Sequence, residues 1–213
     1  HRDILSRKVV SDKPGTVHKL ILGNPYITPT FPESAIYMAF MSSLTSADLS
    51  RQVGAVIAKN KSILSTGTND VPKFGGGLYT PEYMENDGTI VDQKEGRDYK
   101  YKGGQDCNHI QRNHLIEDIY EAINQNLEGI LSENIPSQKQ VLADIKKVLE
   151  NSDIKDITEY GRMVHAEMDA ILNCARSNNS TEGATLYVTT FPCHNCAKHI
   201  VAAGIKEVMF VEP

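Results

Sequence analysis

The sequence predicts an α/β protein: a three-layer α/β/α sandwich around a mixed sheet of about five strands, carrying a helical insertion. Three observations lead there. Residues 52–58 (Gln-Val-Gly-Ala-Val-Ile-Ala) and 184–190 (Ala-Thr-Leu-Tyr-Val-Thr-Thr) are runs of the kind that strands buried on both faces require. Segments with apolar residues at helical spacing alternate with these strands. Between Asn69 and Tyr160 lies an interruption of about ninety residues that such a layout does not need.

Taken in order, residues 1–33 read as a linker or the end of an upstream domain. Basic residues, Pro14-Gly15 and the run from Asn24 to Pro32 favour extended chain, with room for one short strand in 17–22. The domain proper spans 34–213. Ile36, Tyr37, Phe40, Met41 and Leu44 predict a first helix over 33–46, and most of them are read as core. The strands 52–58 and 62–68 are joined by Lys59-Asn60-Lys61, a connection short enough for a hairpin, in which Asn60 can take a positive φ. Helix 165–177, strand 184–190, helix 193–203 and strand 207–211 complete the order α-β-β-α-β-α-β. The last crossover should be right-handed, with its strands parallel.

The insertion, about 71–160, opens with Val71-Pro-Lys-Phe-Gly-Gly-Gly-Leu-Tyr79. Its glycines are followed by no Gly-Lys-Ser/Thr, so it is no phosphate-cradling loop; a flexible lid and a plain surface turn both suit it. Farther on, Leu115, Ile116, Ile119, Tyr120, Ile123, Leu127 and Ile130 form one stripe on a helix over 109–132. Asn134-Ile-Pro136-Ser137 breaks it, Ser137 can cap the next helix, and Val141, Leu142, Ile145, Val148 and Leu149 form a second stripe. Asp106, Cys107, His109 and His114 could hold a metal; a solvated helix surface is the plainer reading.

The chemistry is concentrated in His165-Ala-Glu167 and Pro192-Cys-His-Asn-Cys196. A helix of thirteen residues carries the chain roughly 20 Å from His165. The loop from Ser177 to Gly183 turns it, and seven extended residues return it about 23 Å. Cys193 therefore arrives beside His165, and Cys193 and Cys196, three apart at a helix start, share a face. His165, Cys193 and Cys196 make a three-ligand zinc site whose fourth position is free for water, and Glu167 stands ready as proton carrier. His194, between the cysteines, points off the shared face. A lone Cys-x-x-Cys is more often half of a zinc ribbon or a redox pair. A ribbon needs a second cysteine pair, however, and Cys107 and Cys174 lie far apart, while a redox pair would leave His165 and Glu167 idle.

Composition narrows the class. A net charge of −5 argues against a surface that coats nucleic acid, and no apolar run is long enough to span a bilayer. Four cysteines, two committed to metal, fit a cytoplasmic protein. A chain that opens on His1 is expected to be a piece of something longer.

H-x-E followed by P-C-x-x-C is the signature of zinc-dependent nucleobase deaminases, and the chain resembles the cytidine and deoxycytidylate deaminase superfamily. Ser50-Arg-Gln-Val-Gly-Ala-Val-Ile57, Gly67-Thr-Asn-Asp-Val-Pro-Lys73 and residues 183–196 look like its deoxycytidylate branch. Members usually carry Gly-Tyr-Asn-Gly-x-Pro where this chain has Gly-Thr-Asn-Asp-Val-Pro. The resemblance implies that Asn69 binds the sugar and the main chain at Ala166 holds the pyrimidine. With Ile27-Thr-Pro-Thr30, residues 46–55 and the glycine run, the chain is most similar to the deaminase domain of bacterial anti-phage dCTP deaminases. That resemblance implies an upstream kinase-like domain, and deamination of dCTP, or of dCMP, to the uracil nucleotide in antiviral defence. It also implies a homo-oligomer, hexameric in many relatives, with regulation by dCTP and dTTP. Arg51 and Lys73 become the candidates for the phosphates. A dCMP deaminase of pyrimidine biosynthesis, a tRNA or DNA base deaminase and a metal-stabilised interaction module are the rivals. In the expected reaction Glu167 takes a proton from water, passes it to N3 and protonates the departing amine.

Overall fold

The computed structural model describes residues 23–24, 26–84, 86–92, 96–127, 138–156 and 160–212. The expected linker up to residue 22, the candidate strand at 17–22, the end of the first insertion helix and the break before the second lie outside them. The elements are α1 (Phe31–Ser43), β1 (Gly54–Lys59), β2 (Ser62–Thr68), β3 (Glu82–Tyr83), β4 (Ile90–Val91), α2 (Cys107–Leu127), α3 (Gln138–Glu150), α4 (Ala166–Arg176), β5 (Thr185–Thr190), α5 (His194–Ala202) and β6 (Glu207–Glu212). They fall into two compact units, 1–98 with 163–213, and 99–162.

In the first unit the sheet runs β2-β1-β5-β6, with β1 antiparallel to both neighbours and β5 parallel to β6. It is a mixed sheet, and alternation along β1 divides the core into two layers. Ala55 and Ile57 join Leu186, Val188, Ala170 and Ile200 beneath α4 and α5. Val56 and Ala58 join Tyr187, Ala35 and Ala39 beneath α1. The expected three-layer sandwich is thus present. The hairpin between β1 and β2 turns on Asn60 and Lys61, both with positive φ (51° and 59°), as a two-residue turn matched to strand twist requires.

The first helix corrects one expectation. It starts at Phe31, because the Glu33 carboxylate accepts both the N–H and the hydroxyl of Thr30 at 2.6 Å. It ends at Ser43, where Ser42, Ser43 and Thr45 turn their hydroxyls onto preceding carbonyls. Its buried face is Ala35, Ala39 and Ser43, whereas Tyr37, Phe40, Met41 and Leu44 are exposed. The cause is a close approach of backbones. A Cβ on Gly54 would lie 1.8 Å from the Ala39 carbonyl oxygen, so only small residues fit between this helix and the sheet.

The opposite face has the same device. A Cβ on Gly67 would meet the Ala166 carbonyl oxygen at 2.2 Å and the Ala170 nitrogen at 2.4 Å. Gly67→Ala is therefore expected to push α4 off β2 and to destabilise the protein by about 3 kcal/mol, the upper end for overpacking; urea unfolding of the two proteins measures it.

The second unit is built on α2 and α3. Leu115, Ile116, Ile119, Tyr120 and Ile123 lie on the shielded side of α2, as their spacing predicts. On α3, Val141, Ile145 and Leu149 do the same, but Val148 is exposed. Lys146 of α3 pairs with Glu117 of α2 and sits over the Tyr120 ring.

Candidate active site

Three chain segments converge at one end of the sheet. Asn69 donates its N–H to the Val53 carbonyl at 3.2 Å, the Gly54 N–H reaches the Thr189 hydroxyl at 3.2 Å, and the Val164 N–H reaches the Asp70 carbonyl at 3.0 Å. Residues 51–54, 69–70 and 164–165 are therefore held side by side.

His165 is the N-cap of α4 and Cys193 the N-cap of α5, each in extended conformation one residue before its helix. Two helix N-termini, with their positive dipole ends, thus meet at the same place. His165 Nδ1 lies 3.4 Å from Cys193 Sγ and 3.4 Å from Cys196 Sγ. In a tetrahedral zinc site with Zn–S of about 2.3 Å and Zn–N of about 2.05 Å, those separations should be about 3.6 Å. The donor set fits zinc in both chemistry and span. Among the described residues this is the one such group of three; Asp106, Cys107, His109 and His114 do not form another, and His194 stands outside it.

The sulfurs differ in setting. Cys196 is fully buried while Cys193 is exposed, and Cys193 Sγ also accepts the Cys196 N–H at 3.5 Å. Burial, and then the Glu167 carboxylate and Cys193 beside it, push the Cys196 thiol far above its ordinary range. Without a cation, that sulfur keeps its proton at neutral pH.

Glu167 sits in the first turn of α4 and is 3% exposed. Asp169, also buried, ties α4 to the sheet edge, accepting the Thr68 N–H at 3.2 Å and the Asn173 amide at 3.2 Å. The same Asn173 amide reaches the Thr66 carbonyl at 2.7 Å. Two backbone groups of the edge strand, the Thr68 N–H and the Thr66 carbonyl, are thereby satisfied by side chains of the helix that carries Glu167. Desolvation raises the Asp169 carboxyl above its usual range.

The family description "Cytidine and deoxycytidylate deaminase zinc-binding region" matches residues 30–212. The chain belongs to that family. The deaminase is 31% identical over 179 residues to the deoxycytidylate deaminase of Enterobacteria phage T2, covering 84% of this chain and 78% of that one. It is 46% identical to human deoxycytidylate deaminase over 54 residues, 25% of this chain and 29% of that one. Among solved structures it is similar to the dCMP deaminase of cyanophage S-TIM5 in complex with dCMP and dUMP, with TM-score 0.45, 21% identity and coverage of 88% and 85%. The deaminase is a zinc-dependent enzyme acting on a cytidine-type nucleotide.

Around this centre the remaining expected residues take distinct places. Ala166 is fully buried as the first residue of α4, where helix geometry leaves its N–H without an intrahelical partner. Asn69 is buried beside the Asp70–Val164 bridge; its amide donates to Asp48 Oδ2 and the Arg51 carbonyl, both at 2.7 Å, and its Oδ1 accepts the Val53 N–H at 2.6 Å. Arg51 is exposed and pairs with Glu212 at 2.5 Å; Lys73 pairs with Glu82 at 3.1 Å. A phosphate at either would replace a carboxylate already there. The glycine run is a hydrogen-bonded turn, with Lys73 N–H on the Gly77 carbonyl at 2.9 Å and positive φ at Gly75, Gly76 and Gly77.

Sequence reading missed Asp48, Asp169 and Arg97, the last a buried guanidinium 3.3 Å from the Asp70 carboxylate. Asp48 carried a usable signal, since Asp-x-Ser is an Asx-turn pattern and its Oδ1 does accept the Ser50 N–H at 2.7 Å. Asp169 and Arg97 carried none.

Proposed function

We propose that this enzyme converts a cytosine deoxynucleotide, dCTP or dCMP, to the uracil nucleotide and ammonia, and so depletes dCTP during phage infection. The observation that carries the reading is the convergence of His165, Cys193 and Cys196 beside a buried Glu167. Zinc, when bound, lowers the pKa of a coordinated water towards neutrality and so supplies the nucleophile. The chain's own residues do the rest. Glu167 accepts one proton of the water and delivers it to N3 of the pyrimidine; the second goes to the exocyclic amine. A C4–O bond forms first, making C4 tetrahedral, and the C4–N bond then breaks to release ammonia, with no change in oxidation state. The main chain at Ala166 helps to hold the pyrimidine, Asn69 binds the sugar by giving up one of its internal hydrogen bonds, and Arg51 and Lys73 exchange their carboxylate partners for phosphate.

The deoxynucleotide reading is supported by the chain's likeness to deoxycytidylate deaminases along most of its length. The exposed face of α1, with Tyr37, Phe40, Met41 and Leu44 side by side, supports a homo-oligomer. Light scattering of purified protein, with and without dTTP or dCTP, tests both assembly and its dependence on nucleotide. Among the described residues no helix is long and apolar enough to cross a membrane.

Substrate class is decided by measuring ammonia and nucleotide products from dCTP, dCMP, cytidine and a single-stranded oligonucleotide in parallel. Equal amounts of ammonia and uracil deoxynucleotide from dCTP or dCMP are expected, with the oligonucleotide unchanged. Faster turnover of the oligonucleotide would replace the nucleotide reading by a base-editing one.

A further inference from the structure

Asp70 and Arg97 form an ion pair in the first unit, 1% and 6% exposed in their side chains, that the reaction does not use. Asp70 Oδ1 accepts its neighbour's amide, Val71 N–H, at 2.8 Å, and Oδ2 accepts Ala47 N–H at 3.0 Å. Arg97 Nη2 lies 3.3 Å from the same Oδ2 and 3.5 Å from the Thr45 carbonyl, while Nη1 donates to the Tyr79 carbonyl at 3.1 Å. One guanidinium thus gathers three stretches of chain, 45–47, 70–71 and 79. The same stretches are tied to Asn69 and to the residue that precedes the expected histidine ligand. Ser46 Oγ donates to the Asn69 carbonyl at 2.6 Å, Tyr79 N–H reaches Val71, and the main chain of Asp70 pairs with Val164, the residue before His165.

Two buried charges are a costly way to fasten a loop, since a hydrophobic pair of equal volume is commonly as stable. What a planar fork supplies and an apolar pair cannot is direction: several acceptors held at fixed angles at once.

We propose that Arg97 is a positioning residue for the active site, its buried guanidinium holding the 69–71 segment in register with Val164 and His165. It touches neither substrate nor metal. Its effect passes through Asp70, on one side to Asn69 and on the other to the approach to the histidine ligand. The part that runs through Asn69 rests on the deoxynucleotide reading above.

The test compares Arg97→Met, Arg97→Lys and Asn69→Ala with the parent, reading thermal midpoint, steady-state kinetics on dCMP and dCTP, and hydrogen exchange of the Ala47, Val71 and Val164 amides. Arg97→Met leaves Asp70 buried and unpaired, so its midpoint should fall by roughly 10 °C. Arg97→Lys keeps the charge and should recover most of that fall. Its KM should nonetheless stay raised about tenfold, with kcat within about threefold of the parent, because one ammonium cannot hold Asp70, Thr45 and Tyr79 together. The three amides should exchange faster in both variants, with Asp169 on α4 unchanged. Recovery of KM and amide protection along with the midpoint in Arg97→Lys would overturn the proposal and leave an ordinary stabilising pair. A parent-like KM in Asn69→Ala, beside a raised one in Arg97→Lys, would remove the sugar role of Asn69 and leave the positioning role standing. The exchange measurement needs no turnover, so it decides the matter even if neither nucleotide is deaminated.

Discussion

Glu167→Ala should lower kcat by about four orders of magnitude while the protein keeps its fold and its zinc. General acid–base catalysis by one positioned group is worth about 10²–10⁴. Glu167 stands at the top of that range, because it both takes a proton from the nucleophile and returns one to the ring. Loss of metal would not explain such an effect, since the expected donors are His165, Cys193 and Cys196. Glu167→Gln, which keeps shape and hydrogen bonding but cannot carry the proton, should be impaired nearly as much. Metal analysis of each variant beside single-turnover rates checks both statements. A Glu167→Ala protein with more than a tenth of parental kcat and full zinc would remove Glu167 from the chemistry.

The second large effect concerns Cys196. Its thiol is held protonated by burial, by Glu167 and by Cys193, so zinc must displace that proton in order to bind. The sign follows directly. Below the thiol's raised pKa, each pH unit upward should strengthen zinc binding by about tenfold for that one proton. Chelator competition between pH 6 and 8 should show the slope, and proton release on adding zinc to apoprotein in weak buffer should show the proton itself. Removing zinc should abolish turnover and lower the thermal midpoint, because metal that binds only the folded state stabilises it by about 2.7 kcal/mol at a hundredfold excess over Kd. Cys196→Ala should reproduce both effects at any pH. Zinc affinity that is flat with pH would contradict the buried, protonated state of Cys196.

The convergence of His165, Cys193 and Cys196 was legible in the sequence because the three are joined by regular elements of predictable length. A helix, a loop and a strand separate His165 from Cys193, so rise per residue alone decides that the chain returns. The positions of caps were less legible. His165 and Cys193 each precede their helix by one residue, a distinction that periodicity does not resolve. The inward face of α1 was misread for a definite reason. Size of side chain suggested Tyr37, Phe40, Met41 and Leu44 as core, but glycine in the facing strand draws the helix backbone so close that alanine and serine take the inner face. Contact between Asp70 and Arg97 left no trace either. The two are separated by a stretch with neither helical nor strand periodicity, and a buried ion pair has no sequence spacing of its own.

X-ray absorption at the zinc edge of the purified protein tests the metal centre, on which the rest depends, most directly. Two sulfur scatterers near 2.3 Å, one imidazole nitrogen and one further light atom near 2.0 Å are expected, the last exchangeable with solvent or inhibitor. A shell with a third sulfur or a second imidazole would mean that the protein fills every position itself, and that the centre is structural.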